Sequence, residues 1–149
     1  MATACSSVPK QAVQFDEASF APFAGAGTAS IVGTAMLRAS SGDVEVAAAE
    51  TVELIPSTPY TRERYEIALR DARKLPPADR RLGKYVRTAV ADSEGRFEFK
   101  MIPPGDYFIV CTATWDYAAT RYGGVRTGKR AVAAISLEDG STKRVLLSE

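Results

Sequence analysis

In the run Arg96-Phe-Glu-Phe-Lys-Met101, charged and large apolar side chains alternate without a break. That period of two is the signature of a strand with one wet face and one dry face. Phe97, Phe99 and Met101 are expected to point into a core, and Arg96, Glu98 and Lys100 into water. The flanks carry matching punctuation. Residues 92–95, Asp-Ser-Glu-Gly, read as a hairpin turn whose Gly95 is free to take positive φ. Pro103-Pro104-Gly105 reads as a sharp corner, with proline presetting φ and glycine permitting what other residues resist. Beyond it, residues 106–115 form another strand, in which Tyr107, Ile109, Cys111, Ala113 and Trp115 share a face. Tyr107, just past the corner, is placed to return its hydroxyl to nearby backbone, a stabilising device.

The same texture extends both ways. Strands are expected at 29–38, 85–91, 129–137 and 141–148, with a turn at 40–43. Residues 44–56 alternate as one long strand or as two broken near Ala49. Asp139-Gly140, between two alternating runs, is a strong short-range hairpin signal. The fold class predicted is all-β, an antiparallel sandwich of about seven strands. One segment interrupts it. Tyr65, Ala68, Leu69 and Ala72 fall at helical spacing, with Thr58 or Thr61 as N-cap and Pro76-Pro77 as the stop, so a helix is expected over about 61–75. Ahead of the sandwich, residues 1–28 read as an arm and 29–149 as the domain. Phe15, Phe20 and Phe23, spaced among Ala, Pro and Gly, are expected to pin that arm by aromatic contacts.

Composition narrows the function. The chain of 149 residues has no histidine, which removes the usual general base near neutral pH and the commonest metal ligand. Neither a serine- nor a cysteine-histidine catalytic arrangement can be built, and two cysteines alone make no ordinary structural zinc site. No enzyme activity, cofactor or metal is expected. A formal charge of +1 provides no global field to gather nucleic acid. Charge is uneven, however: Arg62 to Arg87 holds nine basic and four acidic residues. Its basic surface, Arg62, Arg70, Arg73, Lys74, Arg80 and Arg81, suits anionic lipid or a protein partner; the simpler reading is a solvated face with i,i+4 ion pairs. Cys111, amid an apolar face, reads as a small buried hydrophobe rather than a disulfide partner of Cys5.

The opening residues, Met-Ala-Thr-Ala-Cys5-Ser-Ser, resemble the end of a bacterial lipoprotein signal, in which the cysteine carries the lipid. The positive and apolar regions of such a signal do not precede it here, so an ordinary terminal cysteine is the competing reading. The run from Asp92 to Val110 resembles the carboxypeptidase regulatory-like domain: turn, glycine, aromatic-x-aromatic, Pro-Gly corner, aromatic. The similarity covers about residues 29–148. It implies an Ig-like or transthyretin-like sandwich, common in bacterial envelope proteins, without catalysis of its own. The transthyretin-like hydrolases depend on histidines and a C-terminal Tyr-Arg-Gly-Ser, and this chain ends Val-Leu-Leu-Ser-Glu. The leading expectation is a lipid-anchored or periplasmic binding module of the envelope, on the periplasmic or outer-membrane side, engaging a protein partner. Without a signal ahead of Cys5 the compartment would be cytoplasmic. The alternative is a carbohydrate-binding module using the aromatic loop 115–124, with Trp115, Tyr117, Arg121 and Tyr122 as contacts.

Overall fold

A computed structural model describes residues 11–38, 42, 44–116 and 126–148. Eight strands occur among these: β1 (Ala29–Arg38), β2 (Val44–Val46), β3 (Thr51–Pro56), β4 (Arg87–Val90), β5 (Arg96–Ile102), β6 (Gly105–Asp116), β7 (Arg126–Leu137) and β8 (Thr142–Ser148). The additional strand arises because 44–56 does break, at Ala49, which adopts φ 61°. That left-handed conformation costs a non-glycine residue energy, because Cβ crowds the following carbonyl, and it takes the chain out of the extended path between β2 and β3.

The strands form two four-stranded sheets. In the first, β5 and β2 follow one another along one edge of β1, both antiparallel, while β8 runs parallel along the other edge. The second has the order β4-β3-β6-β7, antiparallel throughout. Ile31, Leu37, Phe97, Phe99, Ile102 and Leu147 of the first sheet meet Val52, Leu54, Tyr107, Ile109, Cys111 and Leu137 of the second in one buried core. Burying each large apolar side chain of this kind contributes about 1.5–3 kcal/mol. This is the two-sheet β-sandwich that the alternation predicts, in the Ig-like or transthyretin-like form that the resemblance implies. The Tyr107 hydroxyl donates to the Pro103 carbonyl at 2.8 Å, as expected of a corner tyrosine.

Two details differ from the sequence reading. Met101 points outward, 61% exposed, with φ 58°. The pairing of β5 with β1 slips between Ala29↔Ile102 and Ile31↔Phe99; this bulge shifts the alternation by one and gives the inward place to Ile102. The turns at 92–95 and 139–140 form, with positive φ at Gly95 and Gly140, yet neither closes a hairpin. β4 and β5 belong to different sheets, as do β7 and β8. Both turns therefore carry the chain across the sandwich.

Helix α2 (Pro59–Asp71) follows β3, with a 3₁₀ turn over Ala72–Lys74 beyond it. Both candidate caps take part. Thr58 is the N-cap and accepts from the Thr61 amide at 3.3 Å, while the Thr61 hydroxyl oxygen accepts from the Thr58 amide at 2.8 Å. The predicted apolar stripe is displaced: Leu69 is 67% exposed, and Tyr60, Thr61 and Ile67 are the buried positions. Among the described residues no i,i+4 ion pair forms on α2. The pairs in this region join neighbours two apart, Asp71 with Arg73 and Asp79 with Arg81.

The arm packs where its phenylalanines dictate. It contains one helical turn, α1 (Glu17–Phe20), capped by Asp16. Phe15 stacks on Phe20 at 4.6 Å and meets the Tyr60 ring edge-on at 5.3 Å, while Tyr85 lies 5.0 Å from Phe20. Val13, Leu82 and Tyr85 complete this satellite core. Phe23 meets Tyr107 edge-on at 5.2 Å, joining the arm to the main core. Between them Gly27 passes so close to the corner that a Cβ there would lie 2.2 Å from the Ile102 carbonyl oxygen. Only glycine fits that approach.

Candidate functional site

Of the residues predicted to form an aromatic binding loop, Trp115 contributes backbone to β6, opposite Thr127. Its side chain, and all of Tyr117, Arg121 and Tyr122, lie outside the described residues, as does Cys5. A concavity lies elsewhere, on the outward face of the second sheet.

Register builds its floor. In β3 and β6, Glu53 pairs with Val110 and Ile55 with Phe108, so these four side chains share the outer face while Val52, Leu54, Ile109 and Cys111 fill the core. Val110 and Phe108 in turn pair with Val132 and Ala134 of β7. The floor is therefore apolar where a sandwich usually shows polar residues to water. Helix α2 lies above it: the Tyr65 ring stacks on Phe108 at 4.8 Å, with the ring planes 26° apart. Thr61, Arg64 and Ala68 add to that wall, and Leu75, Ala78, Asp79, Arg80, Leu82, Gly83 and Val86 form the facing one. The cleft, open to solvent, has a volume of about 520 Å³, within the range of about 300–1,000 Å³ typical of small-molecule sites.

The facing wall is held by the arm and α2 together. Arg64 donates to the Gln11 side-chain oxygen at 3.1 Å and to the Pro76 carbonyl at 2.9 Å. The Asp79 amide donates to the Tyr60 hydroxyl at 2.8 Å. Tyr85 donates to Glu17 at 3.1 Å. Asp79 accepts from the Arg81 amide at 2.9 Å and from two guanidinium nitrogens of the same residue at 2.9–3.0 Å. Those bonds, the side-chain ones foremost, hold the Asp79 carboxyl down to about 2. Arg81 also lies 4.5 Å over the Phe15 ring.

Charge in the cleft is thus of two kinds. Asp79 is neutralised by Arg81. Arg80, Arg130 and Glu53 are exposed, and none of them has an ion-pair partner among the described residues. Of the basic residues singled out in the sequence, Arg80 lines the cleft and Arg73 and Arg81 are engaged by neighbouring aspartates. Arg62, Arg70 and Lys74 are exposed. Among the described residues no group of three or more cysteine or carboxylate side chains is placed to hold a metal.

The sequence reading missed Tyr65, Phe108, Val110 and Arg130 as site residues. A signal for the floor was present: Tyr107 to Cys111 are five consecutive apolar residues. A strand apolar on both faces requires cover on both.

No protein-family model matches the chain, and no curated protein does. Among solved structures, a candidate carbohydrate-binding protein of Pseudomonas aeruginosa, PA1324, superimposes with a TM-score of 0.77 at 29% identity, over 92% of this chain and 99% of that one. A DUF3823 family protein of Parabacteroides merdae gives a TM-score of 0.41 at 11% identity, over 83% of this chain and 46% of that one. The likeness to the Pseudomonas protein takes in nearly the whole of both chains.

Proposed function

We propose that this chain is a non-catalytic carbohydrate-binding module and that the cleft between α2 and the second sheet receives the sugar. The observation that carries the reading is near full-length likeness to the Pseudomonas protein. The cleft supplies the chemistry. Apolar and aromatic groups at Ile55, Val110 and Tyr65, the last braced on Phe108 beneath it, suit the CH faces of a pyranose, and the charged groups around them suit its hydroxyls. The absence of histidine argues for binding without turnover.

Retention on insoluble polysaccharides, followed by calorimetric titration with the matching oligosaccharides, tests the reading. Tyr65→Ala should weaken binding about tenfold, the loss of an aromatic contact and its buried area. The loop reading makes the opposite forecast: Tyr117→Ala and Tyr122→Ala would weaken binding while Tyr65→Ala would not. No retention on any polysaccharide and no heat of binding would end both.

We also read the chain as a variant of the carboxypeptidase regulatory-like domain, carrying the inserted helix, and as an envelope protein anchored through Cys5. The support is the turn-aromatic-corner run and the residues around Cys5. Intact mass and detergent partition of the protein from its native locus decide the anchor: an acylated chain beginning at Cys5 supports it, and an unmodified Met1 or Ala2 start removes it. A protein partner in the envelope, sought by crosslinking, belongs to the same reading.

A further inference from the structure

The cleft holds more positive charge than the chain around it accounts for. Arg64 spends its hydrogen bonds on neutral oxygens, those of Gln11 and Pro76, and so keeps its full charge. Arg80 and Arg130 are exposed, with no ion pair among the described residues. Asp79 contributes nothing to the balance because Arg81 cancels it. The lining therefore counts three guanidinium groups against Glu53 alone, two positive charges in excess, although the whole chain carries only +1. A local excess of this kind beside an apolar floor selects for an anion attached to an apolar face.

Register says how the two parts meet. Arg130 pairs with Thr112, two residues along β6 from Val110 and on the same outer face. Glu53 pairs with Val110 from the other side. A ring seated on Val110, beside the Tyr65 ring that covers Phe108, therefore lies about 7 Å along the strand from the place Arg130 takes in β7, and Arg80 lines the same cleft. A guanidinium presents a planar fork of donors that matches a carboxylate.

Resting on the carbohydrate reading of this cleft, we infer that its ligand is an acidic sugar, a uronic acid within an oligosaccharide, whose carboxylate is taken by Arg130 and Arg80 while its ring lies on the Tyr65 and Val110 side. A neutral sugar leaves the excess charge unused.

The full chain is titrated calorimetrically with oligogalacturonate, its fully methyl-esterified form and a neutral galacto-oligosaccharide of equal length. The acid should bind about tenfold or more tightly than the ester, and raising salt from 20 to about 300 mM should erode most of that difference. In Arg80→Gln/Arg130→Gln the acid-to-ester ratio should fall toward one; both side chains are exposed, so an unchanged urea midpoint shows the fold is kept. Equal affinity for acid and ester overturns this inference and leaves the carbohydrate reading standing. An acid preference unaltered in the folded double variant also overturns it, by placing the carboxylate elsewhere. Failure of all three probes, with binding to no other sugar, overturns both. If the double variant does not fold, the acid-to-ester comparison on the unaltered chain still decides.

Discussion

Phe20→Ala tests whether the arm is part of the fold. The Phe20 side chain is fully buried, stacked 4.6 Å from Phe15 and 5.0 Å from Tyr85. A phenylalanine removes about 150–250 Å² from water, which at about 25 cal/mol/Å² is about 4–6 kcal/mol. Compactness of the unfolded chain and the methyl group that alanine retains reduce this to about 3–4 kcal/mol, within the range of about 3–5 measured for such truncations. With a urea m-value of about 2 kcal/mol/M, the midpoint should fall by about 1.5–2 M. Leu69→Ala, at an exposed site on the adjacent helix, serves as the control and should stay within about 0.5 kcal/mol. Urea unfolding followed by far-ultraviolet circular dichroism reads both. A shift below about 0.3 M for Phe20→Ala, no larger than the control, would refute the claim that the satellite core is integral. Because the arm props the wall containing Leu82, Phe20→Ala should also weaken sugar binding without touching the ligand.

Tyr107→Phe leaves the Pro103 carbonyl without its donor and should cost about 1–2 kcal/mol in urea unfolding. Burial pushes the Tyr107 hydroxyl from 10.0 up to about 12; a pKa raised in the fold gives stability that is whole below pH 10 and lost as pH climbs through about 12, and midpoints measured over that window should fall more steeply for the parent than for Tyr107→Phe. Thr58→Ala removes the cap of α2 and should cost about 1 kcal/mol, read by thermal unfolding. The Asp79 carboxyl is held down to about 2 from 3.8; its contribution is present above pH 3.8 and fades as pH falls through about 2, so Asp79→Ala should flatten that part of the acid-unfolding curve. Cys111 is a buried free thiol whose pKa burial raises; in a Cys5→Ser background it should react with a thiol reagent at pH 8 only at the rate of unfolding, and immediate labelling would contradict its place in the core.

The strands were legible because most of them have one wet and one dry face. Ala29–Arg38 was read with its true limits, and the break at Ala49 was one of two readings left open. Met101 was misread because a bulge depends on how β5 docks against β1, which no local pattern contains. The turns at 95 and 140 were legible as turns, since glycine φ is a local property. Which sheet each following strand joins is not local, so the sequence reads both as hairpins where the structure has crossings between the sheets. The cleft was the least legible part. Glu53, Tyr65, Leu82, Phe108 and Arg130 come from five separate elements and converge only after the sheets have formed. The predicted loop, by contrast, was assembled from near neighbours, the only kind of cluster a sequence displays directly.

The parallel pairing of β1 with β8 gives the sandwich a mechanical character. Seven residue pairs join these strands, from Ser30↔Thr142 to Met36↔Ser148. Because they run the same way, the start of β1 and the end of β8 lie at opposite ends of the pair. Tension applied at those two points pulls along the strands, so the hydrogen bonds of the ladder bear load together and must slide past one another as a group. An antiparallel pair held at the corresponding ends would open one rung at a time, at lower force. A chain gripped on one side and pulled by what it binds on the other would therefore resist rupture best along the line that joins its first strand to its last.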